Sequence, residues 1–168
     1  MIHRQPILLV CALLAIGLAG GCSKAGNPSV RTGESVHQHE HHPPHGGVPV
    51  VLGNGEYHVE FVLDARTGRL RAYFLDGEME NFVRVAMPSF DITAQVAGRA
   101  EKLTFAPVAN NATGETVGDT SLYEVESDWL KTTPRFNAVI NELTVGGDKY
   151  QNIAFNFPKG NEADEEEK

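Results

Sequence analysis

The sequence predicts an all-β domain: a single antiparallel β-sandwich of about seven or eight strands in the Ig-like style, with a small β-barrel as the alternative. Three features lead there. Apolar residues recur at every second position through "EYHVEFVLD" (56–64) and "RLRAYFLD" (69–76), which is the period of a strand with one face on a core. Short segments of this kind follow one another at intervals of about 8–12 residues, separated by Gly, Asn and Asp turns. No useful length of the chain carries the 3.6-residue period of an amphipathic helix, and no internal repeat is present.

Ahead of the domain, residues 1–21 read as an export signal. Arg4, with His3, supplies a positive start, an apolar run extends from Ile7 to Leu18, and the small residues Ala19, Gly20 and Gly21 precede Cys22. That run falls short of the roughly 20 apolar residues of a spanning helix, and its flanks are those of a cleaved signal. "LAGGC" resembles the bacterial lipobox, although Ala19 holds the place where a large aliphatic residue is usual and Leu18 lies one further back. The resemblance implies a lipid on Cys22 and a cell-envelope location, on the periplasmic or outer-membrane side, with the membrane reached through the anchor. Cys11 would leave with the signal, so Cys22 is the one thiol of the mature chain and no intramolecular disulfide can form. The β-domain must then be held by its core alone.

Residues 22–44 hold almost no large apolar side chains and read as a disordered, histidine-rich tether, because such a segment cannot bury enough surface to offset its ordering entropy. Five of the seven histidines fall in "VHQHEHHPPHGG" (36–47): His37, His39, His41, His42 and His45. Neutral imidazoles on a flexible chain can converge on Cu(II), Zn(II), Ni(II) or Co(II), with Glu40 as a possible oxygen ligand. The spacing is not that of a structural zinc site, so any metal bound here should be exchangeable, and no tightly bound cofactor is expected. The plainer reading is a solvated tether. "PPHGG" differs: Pro43 and Pro44 stiffen the approach, and Gly46 and Gly47 allow unusual backbone angles or close contact. His45 is therefore the histidine of this cluster expected to be fixed to the domain.

The domain is expected over 45–158. "GVPVVL" (47–52) is a short strand that Pro49 marks as an edge. Strands 56–64 and 69–76 form a hairpin in which Leu63 faces Leu70, Phe61 faces Ala72 and Val59 faces Phe74. A slip of one residue would invert every side chain. The opposite face then pairs Glu60 with Tyr73 and His58 with Leu75, and is expected to point outward. Further strands are expected at 82–87, 90–97, 102–109, 121–126, 136–145 and 149–157, the last pair joined through "GGD". "SDWLKTTP" (127–134) reads as a loop or one helical turn whose Trp129 and Leu130 cap the core. Residues 159–168 read as an acidic, disordered tail.

The segment 44–85 resembles the opening of small exported β-domains found in bacterial lipoproteins and beside heavy-metal efflux adaptors. The shared pattern is His-Gly-Gly, Leu-Gly, Tyr-His-x-Glu, a Gly turn and Tyr-x-Leu-Asp-Gly, and 136–157 resembles the closing hairpin of that group. The resemblance implies metal-efflux or other envelope proteins as partners, and places polar ligand positions at His45, His58 and Glu60. Glu78 stands where relatives often carry histidine, which puts a ligand at that position in doubt.

The formal charge of −8 leaves no basic stripe for nucleic acid. A nucleophile elbow, a phosphate loop and a zinc-protease helix are all missing, so catalysis is not expected. Met79 and Met87 lack a methionine-rich context and read as loop cover and core rather than as soft ligands. The expected function is a membrane-anchored extracytoplasmic lipoprotein that binds or hands over Cu, Zn or Co in metal resistance or homeostasis. The alternative is an envelope interaction module for which the histidines are only tether.

Overall fold

The computed structural model describes residues 42–162. Its elements are β1 (Val48–Leu52), β2 (Tyr57–Asp64), β3 (Arg69–Asp76), β4 (Phe90–Val96), β5 (Arg99–Pro107), β6 (Leu122–Glu126), a 3₁₀ turn (Asp128–Lys131), β7 (Phe136–Val145) and β8 (Asp148–Phe157). The fold is all-β, as the alternation predicts. All eight strands are antiparallel and lie in one sheet of order β1-β2-β3-β6-β5-β4-β7-β8. The sheet curls until it is nearly a barrel, the second of the two expected arrangements.

Turn chemistry sets the local hairpins. β4 and β5 are joined by Ala97 and Gly98, and β7 and β8 by Gly146 and Gly147, all four with positive φ. That is the two-residue turn whose twist matches the strands it joins. The β2–β3 register is the predicted one at every pair, including Glu60 with Tyr73 and His58 with Leu75.

Aromatic rings show how the curled sheet encloses its core. Phe61 of β2 stacks on Phe155 of β8 (4.9 Å between centroids) and meets Phe105 of β5 edge-on (5.8 Å). Phe105 stacks on Phe90 of β4 at 4.6 Å, and Phe90 packs on Phe74 and Tyr123. Strands far apart in the sheet order therefore share one apolar centre, and each fully buried ring of this kind contributes about 1.5–3 kcal/mol. Leu130 of the 3₁₀ turn is buried, and Trp129 packs edge-on to Phe136, so this turn caps one end of the core as expected.

Two expected elements change. Segment 82–87 is not a strand; it makes only the single bridges Leu75↔Phe82 and Val85↔Thr120. The reason is topological, since the chain must leave β3 and reach β4, and β6 and β5 lie between them in the sheet. The domain also continues beyond 158. After Phe157 the chain folds back, and the Asn161 side chain accepts a hydrogen bond from the Val51 N–H (2.8 Å) and donates one to the Val51 carbonyl (3.0 Å). This clip satisfies edge-strand groups of β1 that would otherwise stay open for pairing. Gly160 lies against Pro49, where a Cβ would come within 2.3 Å of the carbonyl oxygen. Residues 159–161 thus belong to the fold rather than to the tail.

Candidate functional site

The face of β2–β3 turned away from the main core was expected to be exposed. It is not. Glu60 has no solvent exposure and His58 only 1%. A nonlocal cover explains the difference: residues 43–47 cross the sheet above Glu60 as a strap, and the 77–82 loop returns against the β3 end of the same face. The strap begins with a turn in which the Gly46 N–H donates to the Pro43 carbonyl.

Glu60 is the anchor of the strap. Its Oε1 accepts the backbone N–H groups of His45 (2.9 Å) and Gly47 (2.8 Å), and its Oε2 lies 2.8 Å from Nδ1 of the His45 ring. An isolated buried carboxylate would be costly, and these three donors offset that cost. The glycines make the arrangement possible. Gly46 turns the chain at φ +65°, and Gly47 comes so close that a Cβ would lie 2.6 Å from the Phe61 carbonyl oxygen and 2.8 Å from Glu60 Cγ. "HGG" is thus the sequence form of one three-point clasp.

The His45 ring is further set by aromatic neighbours. It stacks on Tyr73 at 3.8 Å and 15°, and Phe82 tilts against it at 5.6 Å. Tyr73 stands opposite Glu60 across the hairpin, while Phe82 is half-exposed. A carboxylate can only accept, so Nδ1 carries the proton in this bond. None of these contacts uses Nε2, and the side chain is 33% exposed. Orientation of the ring by a carboxylate on one nitrogen, with the other nitrogen outside that bond, is also the arrangement found around metal-ligating histidines.

His58 belongs to a different set of contacts. Its Nδ1 lies 3.2 Å from the Asp76 carbonyl oxygen. The Asp76 carboxylate in turn accepts the Glu80 N–H (2.9 Å), the Asn81 N–H (3.2 Å) and the Asn81 amide (2.6 Å). Partial burial pushes Asp76 up, but these hydrogen bonds outweigh it and hold the carboxyl below its ordinary value. The Asp76 carboxylate therefore fastens the 77–82 loop, while His58 meets the Asp76 carbonyl at the end of β3; Met79 of the loop is buried outside the main core cluster.

Of the residues expected to bind metal, His45 and Glu60 are brought together, and His58 shares the β2 face of Glu60 but has its own partner. His42 is exposed. His37, His39, His41 and the lipidation residue Cys22 lie outside the described residues. Among the described residues, no three His, Cys, Asp or Glu side chains gather as a metal-binding group, so a site at His45 needs ligands from elsewhere. Glu78 is exposed on the 77–82 loop. Sequence reasoning missed Tyr73 and Phe82 as parts of the site. The signal for Tyr73 was present, since the predicted register already placed it opposite Glu60.

No family model matches the chain, and no curated protein or solved structure matches it either. The geometry alone carries the functional argument.

Proposed function

We propose that this chain is a membrane-anchored extracytoplasmic lipoprotein that captures or hands over a transition metal, Cu(II), Zn(II) or Co(II), in metal resistance or homeostasis. Lipid on Cys22 would hold it to the membrane, and its action is binding rather than catalysis. The observation that carries the reading is the His45–Glu60 clasp. A buried carboxylate fixes the ring through Nδ1 and leaves Nε2 outside that bond, which supports a ligand role for it once the ring is neutral. His37, His39, His41 and His42 precede it closely in the chain and would complete an exchangeable site around this one rigid ligand. A single preformed ligand suits handover, because a metal that takes only one ligand from the folded domain can be passed on without unfolding it.

The test is titration of the chain with Cu(II) and Zn(II), repeated with His37, His39, His41, His42 and His45 all replaced by alanine. Tight binding is expected in the native chain and lost in the variant. Millimolar native affinity, or tight binding that survives the replacement, would overturn the reading. The anchor has its own measurement: Cys22→Ala should move the protein from the membrane to the soluble fraction, and continued membrane association would exclude the lipid.

One observation favours a second reading. Phe82 is 50% exposed beside Tyr73 and His45, and exposed aromatics of this kind anchor protein interfaces. An envelope docking module would lose its cross-linked partner on Phe82→Glu, yet keep it when the five histidines are replaced.

A further inference from the structure

Where the two ends of the sheet approach one another, a cleft of about 490 Å³ opens behind the strap. Gly47 and Val48, Val62 and Leu63 of β2, and Phe157 line it, and Arg135 stands where the chain enters β7. Every lining residue other than Arg135 is apolar, glycine or proline. The volume lies within the roughly 300–1,000 Å³ of small-molecule sites, which pair apolar walls with a few polar groups that set orientation.

Arg135 is the group that gives the cleft a chemistry. Arg66, Arg69, Arg71 and Arg84 each lie against a carboxylate. Arg99 and Arg135, both exposed, make no ion pair among the described residues, and of the two only Arg135 lines the cleft. A guanidinium presents a planar fork that matches a carboxylate with two parallel hydrogen bonds. The geometry points to a binding site for a small amphiphile with one carboxylate: its apolar body lies along Val48, Leu63 and Phe157, and Arg135 holds its head at the rim. A neutral apolar molecule would gain the walls but not the orientation, and a polyanion would find one cation and no second. This site does not depend on the metal reading, because it uses none of the histidines.

The test is calorimetric titration of the purified chain with decanoate and, separately, with decanol. Decanoate is expected to saturate one site. Arg135→Gln should weaken decanoate about tenfold, the loss of about one charged hydrogen bond, and leave decanol unchanged. Ala65→Phe, at an exposed turn position lining the cleft, should weaken both ligands by filling the space. The proposal is overturned if decanoate does not bind, if Arg135→Gln binds it as tightly as the native chain, or if Ala65→Phe changes neither ligand.

Discussion

The Glu60 carboxylate holds His45 twice, once through the backbone N–H at 2.9 Å and once through ring Nδ1 at 2.8 Å. One side chain thereby sets both where the histidine-rich segment meets the domain and which ring nitrogen lies outside the clasp.

Glu60→Gln separates these two roles. The glutamine oxygen can still accept both backbone N–H groups, but its NH₂ faces Nδ1 and favours the tautomer with the proton on Nε2. Folding stability is expected to change little, while metal affinity falls about 10–100-fold, as for loss of an outer-shell carboxylate. Metal titration beside urea denaturation, with imidazole ¹⁵N shifts to read the tautomer, checks this. Glu60→Ala, which strands the strap's donors in a buried place, should cost about 3 kcal/mol in the same denaturation experiment.

The two clasp glycines should differ in sensitivity. At Gly46 a Cβ meets nothing within 4 Å, so Gly46→Ala bears only the cost of a left-handed backbone, about 1 kcal/mol. At Gly47 a Cβ collides with the Phe61 carbonyl and Glu60, so Gly47→Ala should cost more, about 2–3 kcal/mol. Equal losses in urea denaturation would mean that the strap does not sit this close to the sheet.

Acid should loosen the domain through Glu115 as well as Asp76. Partial burial pushes Glu115 up, but the Ser121 hydroxyl and N–H and the Thr113 hydroxyl hold it below its ordinary value of 4.5. A carboxyl whose folded value is depressed binds fewer protons than in the unfolded chain. Its stabilisation is fully present above the ordinary value and disappears as pH falls through the lower folded value. Thermal melts should therefore drop in midpoint as pH falls below about 4.5. Glu115→Gln should be less stable at pH 7 and show a shallower acid decline. An unchanged acid slope in that variant would remove Glu115 from the account.

Asn161→Ala should open the seam at β1. Both backbone groups of Val51 lose their partner, at an expected cost of about 1–2 kcal/mol. The Val51 amide should exchange with solvent much faster while amides of β4, an interior strand, stay protected. Hydrogen exchange by NMR reads both.

The sequence by itself determined the parts of this protein that local patterning controls. The 57–64 and 69–76 hairpin was legible to the last pair, because period-two alternation and a short turn leave one register that buries Val59, Phe61, Leu70 and Phe74 together. His45 was legible as the fixed histidine, because Pro43, Pro44, Gly46 and Gly47 restrict or permit backbone angles whatever the rest of the fold does. Alternation also divided β2 into two faces, but it carries no information on what covers the second. Only the tertiary structure decided that Glu60 and His58 are buried, because the strap and the 77–82 loop that cover them come from elsewhere in the chain. The same holds for segment 82–87, which is apolar enough for a strand yet must cross from β3 to β4, and for Asn161, whose bond to Val51 spans 110 residues. Such contacts rest on geometry that exists only after the sheet has curled, and no spacing in the sequence encodes them.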